Sequence, residues 1–215
     1  MAAKTVKIKK GKNGCGAYLC AQRFPPFIYA CFYSNIFRGK FQVIYRKRVT
    51  KLIILGIDPG LATLGYGVLE KDARGNVYAR DYGVVLTPKE ERLPTRLAIL
   101  EEGINKLLDR CAPDEVAVEE LFFSKNITTG IAVAHARGVA LLTCVKRCGR
   151  LFEYTPMQIK QALTGYGKAD KKQIQLVTAN LLRLKGIPRP DDAADALAVA
   201  LCHSFTSRLS GLYQI

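Results

Sequence analysis

The 215-residue sequence predicts an α/β domain built on a mixed five-stranded sheet with helices on both faces. Three observations carry that expectation. Three short β-rich runs come first, helical and β-rich runs alternate after them, and the last strong segment is a helix that is apolar on every side except for the acids at its head.

The first run, LIILGI at 52–57, is apolar throughout and stops at the turn Asp58-Pro59-Gly60, as a buried strand does. LGYGVLEK (64–71) and VYARDYGVVLT (77–87) flank the turn-like DARGN, which makes the first three runs an antiparallel meander. RLPTRLAILEEGINKLLDR (92–110) puts Leu97, Leu100, Ile104, Leu107 and Leu108 at helical spacing and ends near Pro113. The β-rich EVAVEELF follows at 115–122, and a helix rich in small residues spans 127–147. Next come the strand LFEYT (151–155), the helix PMQIKQALTG (156–165), the loop GYGK, a helix over 170–185 and the acid-headed segment RPDDAADALAVALC. In a meander the third strand runs parallel to the first, and a right-handed helical crossover makes the fourth parallel to the third. Asp58, and either Glu119 or Glu120, therefore emerge at one carboxyl edge of the sheet, where such folds keep their sites.

Net charge is +15, unevenly spread. Residues 1–51 carry twelve Lys and Arg and no acid, 52–120 carry eight against thirteen acids, 121–190 twelve against two, and 191–215 one against three. Such basic stretches suit a polyanionic partner. The composition divides the chain into an acid-free N-terminal extension (1–50), expected to be poorly ordered and dispensable, a domain (51–208) and a short tail (209–215). A nucleic-acid-binding arm is the alternative for the extension. No run of about 18 uncharged apolar residues occurs, so no membrane span is expected. The seven cysteines form no CxxC pair, which favours reduced thiols and a cytoplasmic protein over a metal finger or disulfide framework.

The acids of the last helix invite a chemical explanation. Asp191 and Asp192 suit a helix N-terminus. Asp195 does not: it lies on the face of Asp192, three residues on, in an apolar stretch that penalises an unpaired charge. A buried ion pair would satisfy it, and so would convergence with the strand-end acids. Four carboxylates in one space repel unless protons or cations offset them. Two Mg²⁺ ions would balance four charges, and an oxygen-only donor set suits Mg²⁺ or Mn²⁺ rather than Zn²⁺. His135 and His203, the only histidines, sit in apolar helices where packing fits better than ligation. Hard cations beside a polyanion-binding surface point to phosphodiester hydrolysis.

LGIDPG with GYGVLE, VAVEELFFSKN, ARGVAL, FEYTPMQIKQALTGYGKADKKQI and DDAADALAVALCH together resemble the RuvC family of bacterial crossover-junction endodeoxyribonucleases, from about Leu52 to about Ser207. The resemblance implies a ribonuclease-H-like fold, a homodimer, four-way (Holliday) junction DNA as substrate, a branch-migration helicase complex as partner and two Mg²⁺ per subunit, with Mn²⁺ possible. It maps the catalytic, metal-holding acids to Asp58, Glu119, Asp192 and Asp195, selecting Glu119 over Glu120 and leaving Asp191 as a cap. It also implies catalytic lysines at Lys160 and Lys171 and a base-contacting aromatic at Phe122. Lys125, Lys160, Lys168, Lys171 and Lys172 are expected to contact DNA, although a solvated helix start would also account for Lys168, Lys171 and Lys172. Residues 1–50 have no counterpart in the resemblance.

Three other readings compete. An actin-like ATPase shares the strand followed by Asp-x-Gly, but it needs further phosphate and adenosine loops that the sequence does not show. A non-catalytic junction-binding protein should have lost one of the four acids, and none is lost. A nuclease of the same fold with another nucleic-acid substrate stays open, because the acids do not choose the shape of the DNA.

Overall fold

The computed structural model describes residues 51–121, 127–206 and 211–215. The N-terminal extension lies outside the described residues, as do Phe122 and Lys125. The elements are β1 (Lys51–Asp58), β2 (Thr63–Asp72), β3 (Val77–Leu86), α1 (Leu93–Cys111), β4 (Glu115–Glu119), α2 (Ile127–Cys148), β5 (Leu151–Tyr154), α3 (Pro156–Thr164), α4 (Lys171–Leu181) and α5 (Asp191–Thr206). Among the described residues no helix is long and apolar enough to cross a membrane.

The sheet order is β3-β2-β1-β4-β5. The pairs β1–β2 and β2–β3 are antiparallel, while β1–β4 and β4–β5 are parallel. Strand alternation sorts the two faces. Ile53, Leu55 and Ile57 of β1 join Val116 and Val118 of β4 in a core with α1 and α2, where Leu100, Ile104, Ala136, Ala140 and Cys144 are buried. The opposite face carries Ile54, Leu69 and Ala117, packed against Leu197, Ala198 and Leu201 of α5. Every residue of α5 from Ala196 to Ser204 is buried, which is why it lacks a polar face.

Three strand glycines seat α5. A Cβ on Gly56 would stand 2.2 Å from the Ala196 carbonyl oxygen, one on Gly65 2.0 Å from that of Asp192, and one on Gly67 2.8 Å from Leu197 Cα. Gly56 pairs with Gly67, and Gly65 with Asp58, so these residues form a bare track across β1 and β2. Helix backbone lies directly on sheet backbone there.

At its far end α5 is tied down by polar bonds. The Tyr154 hydroxyl of β5 hydrogen-bonds His203 Nδ1 at 2.7 Å, and His203 Nε2 hydrogen-bonds Glu115 Oε2 of β4 at 2.9 Å. The His203 bond holds the Glu115 carboxyl below its ordinary range. His203 is thus a buried, fully partnered structural residue, whereas His135 is exposed on α2.

One expectation needs correction, and one segment makes contacts that the sequence did not announce. The helix expected over 170–185 ends at Leu181. Arg183 takes φ 53°, and the Leu184 N–H turns back to the Ala179 carbonyl at 2.9 Å, closing the helix as a Schellman-type end does. Residues 211–215, expected only as a tail, run along the outer edge of β5: Glu153 N–H bonds the Tyr213 carbonyl at 2.9 Å and Ile215 N–H that of Leu151 at 3.0 Å. Tyr213 also packs against Tyr154, with the rings tilted by 36° and centroids 4.9 Å apart.

Candidate active site

Asp58 is the last residue of β1 and Glu119 the last of β4, and the two strands are parallel neighbours. Both carboxylates leave the sheet at one edge. Glu119 has the parity of Ala117, which packs on α5, so the pleat turns Glu119 and not Glu120 to the α5 side. The glycine track brings the first turn of α5 down on the same edge, with Asp192 directly over Gly65, the partner of Asp58.

The electrostatics report the convergence. Burial, with the Glu119, Asp195 and Asp192 charges beside it, pushes the Asp58 carboxyl up to about 8. Burial and the Asp195 charge push Glu119 up to about 7, against the opposing pull of Lys171 and Lys160. Asp195 is raised by burial, with Lys171 working in the other direction. Crowded acids in a half-buried place hold protons that they would lose in water.

Lys171, the first residue of α4, sits in this cluster. Its Nζ lies 2.8 Å from Asp195 Oδ2 and 3.9 Å from Asp191 Oδ2, and the Asp195 bond raises the ammonium above its ordinary range. The capping box of Asp170 and Gln173 fixes the start of α4, with bonds of 2.8 and 3.0 Å. A second capping box, Thr155 with Gln158, does the same for α3, which carries Lys160. The two helices wall a cleft of about 250 Å³ lined by Glu119, Asp195, Lys160 and Lys171 on its polar side and by Pro156, Ile159, Ile174 and Ala198 on the other.

Asp191 differs from its expected capping role. Its carboxylate meets Arg189 Nη1 at 2.5 Å, and its backbone is inside the helix rather than at the cap. Lys168 and Lys172 are exposed and do not line the cleft. Behind the Glu119 edge, Arg137 of α2 is paired with Glu153 of β5 and feels the charge of Glu120, an arrangement that no local sequence pattern announced.

As donors, the four acids offer only oxygen, and the Asp58 and Glu119 shifts show a site with more negative charge than it can hold ionised. That chemistry fits hard divalent cations. Among the described residues no three acidic, His or Cys side chains already surround one point as ligands would. Lys171, bonded to Asp195, supplies the positive charge in this arrangement, so ligation requires rotation of carboxylates already positioned by their backbones.

The model of the family described as crossover junction endodeoxyribonuclease RuvC matches residues 54–203, a stretch that contains all four acids and both cleft lysines. The chain belongs to the RuvC family. A relative of that name from Rubrobacter xylanophilus is 51% identical over 161 residues, covering 75% of this chain and 89% of the relative. One from Petrotoga mobilis is 54% identical over 153 residues, covering 71% and 93%. Among solved structures, Thermus thermophilus RuvC superposes with a TM-score of 0.70 at 36% identity, covering 76% of this chain and all of that one. The T. thermophilus RuvC complex with Holliday junction substrate gives 0.69 at 32% identity. The ribonuclease-H-like sheet expected from the sequence is the fold of this RuvC family member.

Proposed function

We propose that this RuvC family chain resolves four-way DNA junctions by paired hydrolytic nicks, each placed by the carboxylates of Asp58, Glu119, Asp192 and Asp195. The observation that carries this function is the convergence of two strand-end acids and one helix face beside a cleft that Glu119 and Asp195 share with two lysines. The four acids would hold divalent cations, two Mg²⁺ per subunit or Mn²⁺ in their place, and when bound these supply activation of water and stabilisation of the leaving 3′ oxygen. Water adds to phosphorus, the P–O3′ bond breaks, and the products are a 5′-phosphate and a 3′-hydroxyl.

The chain's own residues set the phosphate in place. Lys160 and Lys171 reach into the cleft from two rigidly capped helices and neutralise its non-bridging oxygens. As DNA arrives, Lys171 exchanges its Asp195 contact for the phosphate. Pro156, Ile159, Ile174 and Ala198 narrow the access of water from the far side. Lys168 and Lys172 serve the flanking backbone, and Phe122 and Lys125 extend the DNA contacts past the end of β4.

Paired nicks need two sites in one particle. On α2 the residues Ile131, His135, Gly138, Leu142 and Val145 are exposed and follow one another at alternating spacings of four and three, the spacing of a helix-pairing seam. Among the described residues, nothing beyond the backbone of its own helix comes within 4 Å of the Cβ that Gly138 lacks, leaving room for a close crossing. A homodimer paired through α2, working in the cytoplasm with a branch-migration helicase, is the assembly we favour.

Purified protein incubated with four-way, three-way and linear DNA under Mg²⁺ tests the function. Symmetric, ligatable nicks confined to the four-way substrate are expected, and equal cutting of linear duplex would replace junction resolution with a broader nuclease. Lys160→Ala or Lys171→Ala should slow single-turnover cleavage about 10²- to 10³-fold, the size of a lost transition-state contact, with a much smaller loss of binding. The reverse pattern, lost binding with an unchanged saturated rate, would make the lysines docking residues only.

The domain division is itself testable. A chain beginning at Lys51 should cut junctions at the full-length rate in low salt, because among the described residues every element of the site starts at or after β1. A folded but inactive truncated chain would show that residues 1–50 are part of the machinery.

A further inference from the structure

Beside the cleft stands an apolar rim that the proposed chemistry does not use. Met157 follows Pro156 of the cleft wall and shares a helix face with Lys160, three residues on. It is 63% exposed. The loop after α3 returns to it: Gly165 turns the chain at φ 71°, and a Cβ on Gly167 would lie 3.1 Å from Met157 Cγ, so the glycine lets the loop rest against the methionine. Between these glycines is Tyr166, 59% exposed.

Tyr166 is displayed on a fixed backbone. Its N–H donates to Thr164 Oγ1 at 3.2 Å, and its carbonyl accepts from the Ala169 N–H at 3.3 Å. Ala169 is buried, which anchors the loop beneath. Lys168, Lys171 and Lys172 follow in sequence, and the loop that carries the aromatic joins α3 and α4, whose Lys160 and Lys171 line the cleft. Ordered aromatic surface within a basic track is the chemistry that receives a nucleobase, because each base offers a π-face and each phosphate a charge. The place of this loop, between the two helices that wall the cleft, names the occupant as a base of the DNA being cut.

We infer that Tyr166, supported by Met157, stacks on the base next to the scissile phosphate and sets the base preference of the cut; this rests on the junction cleavage proposed above. The ring selects by stacking strength, whereas the lysines bind every sequence alike.

The test uses the full chain and four-way junctions that differ only in the base flanking the cut, with single-turnover rates as one readout and fluorescence of 2-aminopurine at that position as the other. The wild type should cut these junctions at different rates and quench the probe on binding. Tyr166→Ala should compress the spread of rates about ten-fold, within the range of one lost base–aromatic contact, abolish the quenching and leave the salt dependence of binding unchanged. Tyr166→Phe should behave as the wild type. Equal wild-type rates on all bases, or a Tyr166→Ala protein that keeps both the spread and the quenching, would overturn the stacking role. A wild type that cuts no four-way junction at all overturns the junction function instead, so the two failures are distinguishable.

Discussion

Asp195→Asn is expected to lower junction cleavage by orders of magnitude while junction binding persists or tightens. The amide keeps the size of the side chain and can still accept a bond from Lys171, but it removes one of the charges that crowd Asp58 and Glu119. If Asp195 is a cation ligand as proposed, its loss stops the chemistry, and the loss of a negative charge eases the approach of phosphates. Stability should report the same change. Asp58 and Glu119 ionise near the ordinary carboxylate range of about 4 when the chain unfolds, but at about 8 and about 7 when it is folded. The folded, metal-free protein therefore holds extra protons between those limits, and its stability should fall as pH rises from about 4 to about 8. Mg²⁺ should raise the melting temperature at the upper end of that window by mass action. In Asp195→Asn both the pH slope and the Mg²⁺ effect should shrink. Cleavage at the wild-type rate would return Asp195 to the role of an ion-pair partner for Lys171.

Gly65→Ala is expected to be as damaging, although it adds a single methyl group and touches no charge. The new Cβ would fall 2.0 Å from the carbonyl oxygen of Asp192 and 2.6 Å from its carbonyl carbon. No rotamer change can relieve a contact with backbone, so α5 must lift from β2. Overpacking of this kind costs about 1–3 kcal/mol. An ångström of displacement in the acid-bearing turn is worth about 10²-fold in rate, so cleavage should fall at least that far in protein that remains folded. Gly75→Ala supplies the control. Gly75 has φ 91° in the β2–β3 turn and, among the described residues beyond its chain neighbours, no atom near the missing Cβ, so its substitution strains the turn but leaves the cleft alone. Thermal melts and single-turnover rates of the two variants separate the effects: Gly65→Ala loses both stability and rate, Gly75→Ala stability alone. A Gly65→Ala protein with unaltered rate would show that the acids tolerate movement of α5.

The acids were legible because each stands at a boundary that sequence marks well. Asp58 ends an apolar run at a Pro-Gly turn, and Asp192 and Asp195 interrupt a helix with no solvated side. The choice between Glu119 and Glu120 was not legible from alternation alone, since it depends on which sheet face α5 covers; Ala117 against α5 decides it. Gly56, Gly65 and Gly67 were visible as strand glycines, but their partner lies more than a hundred residues away in the chain. The same non-locality hid the bonds joining Tyr154, His203 and Glu115, whose members come from β5, α5 and β4. The early end of α4 was hidden for another reason: the left-handed position belongs to Arg183, with no Gly or Asn to signal it. Lys171 was expected beside a phosphate; its bond to Asp195 is a contact between α4 and α5 that the sequence did not announce.

The most direct test of the four-carboxylate site is an anomalous difference map from crystals soaked in Mn²⁺. Manganese peaks bounded by Asp58, Glu119, Asp192 and Asp195, with Lys171 turned away from Asp195, are the expected result. Manganese bound elsewhere, or none at these acids in crystals of protein that cuts junctions in Mn²⁺, would contradict it.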